Sequence, residues 1–484
     1  MRARVEWLSG PERSRIVDEA LGVLAETGMR LGTCRALGEL EGTGAQVDRQ
    51  TGVARLPRDL VESTVARLPR RVLLAGATPA DDCLLDGTIH FVPSGAPTVT
   101  LDFETGEYRP STLEDVRRSA IVADAMPAVD ILWSLVSATD LPEDKFDFAG
   151  LLTILAWSNK HLQDEVTQPW QVEPVLAMLE ILCGGLDAYR ARPRLSFCCC
   201  TTSPLGIDGA LLDATIGVAR HGAPILVYPM PIAGATSPVT VAGTVVMNVA
   251  EFLGIATIIE LAAPGAPLIM GAGTSLLDMK ATTFSFGAIE TALMCVACVE
   301  VAHELGVPVL APGLASDAKY GGIQAGYEKA LKGLAVALAG ADLITGGIGL
   351  LSGAGVMSLP QIVIDAEIAA MISRLLGETE ISAQTVMADA VARVGFKGEY
   401  LKERETARRL RSGEQFLPWI STRLSLEAWQ AAGEDELSVA GERVREILAA
   451  ADERGPVLPA EVVACLGGIA DEAVSEHLQA RDRL

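Results

Sequence analysis

Aromatic side chains are scarce in this sequence: Phe, Trp and Tyr together make up 5% of its 484 residues. With 49% hydrophobic residues the chain can bury a sizeable core, but aliphatic packing must build it. Each Trp or Tyr therefore stands out as a candidate for more than filling space. Histidine is scarcer still, with five: His90, His161, His221, His303 and His477. None has the His-Glu-x-x-His spacing of a zinc protease, and no His-x-Cys pair exists, so no metal ligand is assigned from the sequence. Positive charge is in deficit, with a formal net charge of −23 and no basic run. That excludes a partner held by its phosphate backbone, because nucleic-acid binders concentrate Lys and Arg. The acidity suits a solvated surface and an environment that admits cationic ligands. An apolar leader is also lacking, since no hydrophobic run follows the arginines of Met1–Glu6. The nine cysteines do not read as a disulfide framework, and a reducing cytoplasm is expected.

One uncharged stretch, Leu343 to Ile364, is long enough to cross a bilayer. Five glycines, Pro360 and the pair Ser358-x-x-Gln361 interrupt it, which describes a strand, a Gly-rich loop and a new helix rather than a span. No membrane partner is expected.

Helix starts are legible at Ser9-x-x-Glu12 and at Thr112-x-x-Asp115. Residues 53–110 are choppier, with repeated prolines and short runs such as Ile89-His90-Phe91-Val92. Beyond them, continuous apolar runs alternate with helical stretches: Val129–Val136, Asn159–Val166, Arg194–Cys200, Pro224–Pro231, Pro267–Ala272, Val307–Ala311 and Ala341–Thr345. That alternation signals a parallel sheet covered on both faces. Seven units fit a closed TIM (β/α)8 barrel better than an open doubly wound sheet, with the eighth strand coming from Pro93–Leu101 or from after Gly377. The expected organisation is an N-terminal α/β extension over 1–110, a barrel core over 111–377 and a C-terminal helical region over 378–484. In the last, Leu437, Ala440, Val444, Ile447, Leu448 and Ala451 mark one amphipathic helix, a packing or oligomerisation element.

The barrel reading puts the chemistry at the C-terminal ends of the strands. Cys198-Cys199-Cys200 cannot all ligate one ion, because neighbouring strand residues face opposite ways; they read as small buried hydrophobes. Cys295-x-x-Cys298 lies in a helical pattern without a second pair. Gly347-x-Gly349-x-x-Ser352-Gly353 follows a strand and precedes a helix, but lacks the Walker lysine and the third Rossmann glycine. It is an ordinary barrel loop or an anion-binding loop. His161 and Gln163 sit on a strand, with His161 either structural or ligand-facing, and Phe197 and Tyr228 stand near strand ends. An Asp-x-His-x-x-Gly corrinoid-binding motif is missing, since Val301 stands where Asp would precede His303. No cofactor is expected on this chain.

Several segments together resemble the trimethylamine methyltransferase family. They are Asp102-Phe-Glu-Thr-Gly106, Ser111-Thr-Leu-Glu-Asp115, Asn159-Lys-His161, Pro231-Ile-Ala-Gly-Ala-Thr-Ser-Pro-Val-Thr-Val-Ala-Gly243, Ser275-Leu-Leu-Asp-Met279, Ser316-Asp-Ala-Lys319 with Gln324–Lys329, and Asp365-Ala-Glu367. The resemblance spans roughly residues 10–450 and implies a TIM barrel that passes a methyl group from an amine to the Co(I) corrinoid (cobalamin) of a separate protein. Founding members carry pyrrolysine in the loop that here reads Pro312-Gly-Leu-Ala-Ser-Asp-Ala-Lys319, filled by ordinary residues. That implies the non-pyrrolysine branch, acting on quaternary amines such as glycine betaine. The implied substrate-binding set is His161, Gln163, Phe197, Tyr228, Gly313, Leu314, Asp317 and Lys319. Tyr320 is a further aromatic candidate, and Asp164, Asp278 and Glu260 are further carboxylates. The sequence departs from the family at Glu405-Thr406, where a His-Thr pair is usual, and at Ala281-Thr282, in place of Thr-Gly. Two other readings stay open: a non-catalytic quaternary-amine binding barrel, and a barrel enzyme of another class acting on a small cation. A homo-oligomer is expected.

Overall fold

The computed structural model describes residues 4–483. Eight parallel strands form the barrel: β1 His90–Phe91, β2 Ile131–Trp133, β3 His161–Glu165, β4 Leu195–Cys200, β5 Ile225–Tyr228, β6 Leu268–Gly271, β7 Val309–Pro312 and β8 Leu343–Thr345. They pair in chain order from β2 to β8, and β8 returns to β1. The seam between β1 and β2 lacks a ladder, but Asp130 bridges it. Its N–H donates to Phe91 O at 2.9 Å and its Oδ2 accepts the Phe91 N–H at 2.8 Å.

Seven strands lie where the apolar runs placed them. The eighth is a correction: it is His90–Phe91, neither Pro93–Leu101 nor a segment after Gly377. A strand of two residues leaves no readable run, and Pro93, lacking an N–H, helps to end it. The barrel thus begins within residues 1–110, the stretch expected as an N-terminal extension. Val99–Leu101 instead joins Tyr108–Pro110 and Val356–Met357 in a separate small sheet.

The strands are apolar on both faces because both are covered. Outward side chains such as Leu162, Phe197, Cys199, Val227 and Ile344 pack on the helical layer. Inward ones, including Ile131, Cys198, Leu226, Tyr228, Ile269 and Leu310, meet Val72, Leu74, Cys83 and Leu85 of a hairpin. That hairpin closes the N-terminal end: Ala75 N–H donates to Pro193 O at 2.9 Å and Ala77 N–H to Asn159 O at 2.7 Å, just before β4 and β3. The barrel is plugged below, and its chemistry has to be reached from above.

Val241–Ala262, between β5 and β6, is the one helix among the described residues long and apolar enough to cross a membrane, yet 78% of its most apolar window is buried in the fold. Leu343–Ile364 resolves into β8, two short strands and the start of helix Leu359–Leu376. Capping boxes close at Ser9/Glu12 and at Thr112/Asp115. Ser358 is an N-cap without a side-chain bond, and Gln361 turns to Asp365 at 2.8 Å rather than back to the cap. The C-terminal stripe forms helix Glu436–Arg454, which buries Ala440, Val444, Ile447 and Ala451 and leaves Leu437 exposed. Glu367 ties the tail down by accepting the N–H groups of Trp419, Ile420 and Ser421.

Candidate active site

Strand alternation decides which side chains reach the lumen. On β3, His161, Gln163 and Glu165 face inward while Leu162 and Asp164 face the helices. The register places Gln163 beside Trp133 of β2 and Ser196 of β4, and Glu165 beside Cys198. Cys200 stands beside Tyr228 of β5. Residues from four strands thus make one wall rising toward the open end.

At the top of that wall the Trp133 and Tyr228 rings lie 6.4 Å apart at 58°. The Tyr228 ring occupies space left by Gly271 and Gly273, where an added Cβ would collide with it. Burial, together with Cys198, Cys295 and Cys200, pushes the Tyr228 phenol well above its ordinary value, so it stays neutral. Gln163, fully buried, has neither Nε2 nor Oε1 hydrogen-bonded within the protein. An unmade buried hydrogen bond costs about 1–3 kcal/mol, so this amide is set to receive a ligand or water. Glu165 and Cys200 keep solvent exposure at the rim. The inward positions of β2 to β5 hold no Lys or Arg. Two rings, a carboxylate and an amide can hold a compact cationic group. The Glu165, Cys198 and Cys200 ligand atoms lie within 4.8 Å of one another, which makes them the candidate metal-binding group among the described residues.

His161 does not belong to this group. It sits at the plugged end of β3, where Nδ1 lies 3.0 Å from Ala75 O and Nε2 2.9 Å from Ser196 Oγ. Burial pushes its pKa down to about 4, so the ring is neutral and structural. Phe197 is likewise outside: at an odd step on β4 it packs into the helical layer and is 1% exposed. Asp164 shares that outward register. Glu260 pairs with Arg67 at 3.1 Å and lies in the outer layer, Asp278 caps its own turn, and Tyr320 is exposed. Of the expected set, Gln163 and Tyr228 face the lumen, Gln163 in register with Ser196 and Tyr228 further up with Cys200. Trp133 and Glu165 escaped the sequence reading, and Cys200 reads there as a buried hydrophobe, because only the strand register brings them to this wall.

Residues 2–468 match the family model described as trimethylamine methyltransferase (MTTB). The chain belongs to the trimethylamine methyltransferase family. It is 31% identical to trimethylamine methyltransferase MttB of Desulfitobacterium hafniense, over 99% of this chain and 97% of that protein. A protein of the same name from Methanosarcina barkeri is 29% identical, over 88% and 87%. The glycine betaine methyltransferase of D. hafniense strain Y51 is 27% identical, over 91% and 92%. The crystal structure of the M. barkeri monomethylamine methyltransferase superposes with a TM-score of 0.47 at 12% identity, covering 90% of this chain and 92% of that one.

In this member of the trimethylamine methyltransferase family, the loops after β7 and β8 are locked together. Gly313 N–H donates to Thr345 O at 2.8 Å, and the buried Leu314 side chain packs against Gly333 of the next helix, away from the lumen. Asp317 accepts the Phe286 and Gly287 N–H groups at 3.1 Å each and the Ser285 hydroxyl, while exposed Lys319 donates to Ser352 Oγ at 3.1 Å. These residues shape the rim rather than the wall. Gly347 abuts the Leu314 carbonyl where any Cβ would overlap it. Beneath, fully buried Lys329 donates to Gly347 O at 2.6 Å, Leu350 O at 2.8 Å and Asp365 Oδ2 at 2.6 Å. Asp365 also takes the Gly349 N–H at 2.8 Å, so that amide is used inside the fold and is not offered to an anion.

Proposed function

We propose that this chain removes a methyl group from a quaternary amine, glycine betaine or a close relative, and delivers it to the Co(I) corrinoid of a separate protein. The observation that carries the reading is the Trp133–Tyr228 pair, with Gln163 beside Trp133 and Glu165 at the rim. The similarity to a glycine betaine methyltransferase supports the same substrate class. A quaternary ammonium leaves as a neutral tertiary amine, so no general acid is required, and a Tyr228 phenol held well above its ordinary value keeps its proton. The aromatic faces desolvate and hold the cation, each contributing about 0.5–2 kcal/mol, and Glu165 adds Coulomb attraction. The plugged lower end leaves one side from which the methyl can be taken, so binding also aims it. Trp133, Glu165 and Cys200 keep solvent exposure, which fits approach of a partner's cofactor to the upper rim. The corrinoid, when presented, supplies a strong nucleophile. Cytoplasmic location and a homo-oligomeric state are part of the same proposal.

The test is incubation of the purified chain with cob(I)alamin and a panel of methylated amines, with mass-spectrometric detection of the demethylated product. Dimethylglycine from glycine betaine is the expected result. Calorimetric binding without product, even with the cognate corrinoid protein, favours a non-catalytic binding barrel. Turnover of tertiary amines alone overturns the quaternary-amine assignment.

A further inference from the structure

Adjacent strand residues cannot share one ion, so Cys198, Cys199 and Cys200 do not act as a triplet. The same alternation brings Cys198 and Cys200 to one face and turns Cys199 away. The parallel register then lays Glu165 of β3 directly beside Cys198. The result is two thiols and a carboxylate with ligand atoms within 4.8 Å of one another, at the open end of a barrel.

We propose that Cys198, Cys200 and Glu165 bind a divalent, thiophilic metal ion of the Zn2+ class. The spacing within the cluster suits such an ion: two sulfurs each about 2.3 Å from a tetrahedral zinc stand about 3.8 Å apart, and Cys198 Sγ and Cys200 Sγ stand 3.6 Å apart. One observation supports the proposal independently of the cluster: Gln163, one step below Glu165 on the same face, is fully buried with both amide atoms unpartnered. A water or substrate oxygen on the fourth coordination position would have this amide within the same lumen. Three protein ligands with one open position is the arrangement of zinc sites that do chemistry, whereas structural sites are closed by four.

The balance is simple. The metal displaces one proton from each thiol to solvent and takes two thiolates and one carboxylate, which leaves the site with a net charge of −1. Because both thiols must lose a proton to ligate, the apparent affinity falls as pH falls. The anionic complex remains compatible with a cationic group between Trp133 and Tyr228.

The test uses the full-length, reduced, chelator-treated protein titrated with Co2+. Thiolate ligation shows as a near-ultraviolet charge-transfer absorption, and tetrahedral geometry as intense visible bands. The expected result is a single equivalent, displaced by Zn2+, with proton release. Cys198→Ser and Cys200→Ser each lose the thiolate absorption of the pair, and Glu165→Gln weakens binding. Cys199→Ser, facing the helices, retains it. Circular dichroism reports folding, and if Cys198→Ser fails to fold, Cys200→Ser at the partly exposed position carries the test. No thiolate absorption in the folded wild type overturns the proposal. So does absorption that survives unchanged in Cys200→Ser, since it then arises from thiols elsewhere, such as exposed Cys465. No amine enters this assay, so its outcome stands apart from that of the methyl-transfer experiment.

Discussion

Replacing Lys329 with Met asks whether the Gly-rich loop above β8 is held by charge from beneath. The substitution keeps most of the stem's volume and removes an ammonium that is 0% exposed. It leaves the buried Asp365 carboxylate with the Gly349 N–H and the Gln361 amide, each at 2.8 Å, and orphans the Gly347 and Leu350 carbonyls. Removing one partner of a buried ion pair costs about 3–5 kcal/mol. Each orphaned carbonyl adds up to about 1–3 kcal/mol, less where loop movement admits water. Protonation of Asp365, whose pKa burial already raises, limits the total. The expected loss is about 4 kcal/mol, read as a lower midpoint in urea unfolding, with faster amide exchange at residues 346–351. The double variant Lys329→Met/Asp365→Leu removes both charges and recovers more than about 1.5 kcal/mol relative to the sum of the single variants. A single-variant loss below about 1 kcal/mol, or strict additivity in the double, would refute the reasoning.

Four other outcomes are expected. His161 has a folded pKa near 4 against an ordinary 6.5, so the unfolded chain binds the extra proton between those values. Stability is therefore retained above pH 6.5 and falls by about 3 kcal/mol as pH drops to 4, and His161→Asn flattens that slope in denaturant titrations at several pH values. Phe197→Ala costs about 3–5 kcal/mol of stability, while calorimetry on the folded fraction shows unchanged amine affinity. Tyr228→Leu does the reverse, weakening amine binding by about 3- to 30-fold, and equal affinity to wild type would remove Tyr228 from the site. Gly347→Ala drives a methyl into the Leu314 carbonyl, so the β7 and β8 loops separate, and limited proteolysis cuts there first.

Much of the barrel could be read from the chain because a covered parallel strand must be apolar on both faces, and Val129–Val136 or Pro224–Pro231 show it without any partner in view. The family resemblance, carried by segments such as Ser316-Asp-Ala-Lys319, likewise needed only the order of residues. Strand β1 stayed hidden because two residues, His90 and Phe91, carry no period, and only hydrogen bonds to β8 and the Asp130 bridge make them a strand. The site was half legible for a related reason. Composition singled out Tyr228 in an aromatic-poor chain, but Phe197 looked its equal until the pleat turned one ring inward and the other out. His161 and Gln163 are two residues apart on the same inner face, yet the hairpin that plugs the barrel satisfies the histidine and leaves the glutamine unpaired. What the sequence determined by itself is local: which segments pair as strands, which start helices, and which side chains are rare. Which side chains meet in the lumen was left to register and to the closed lower end, because those depend on contacts between residues far apart in the chain.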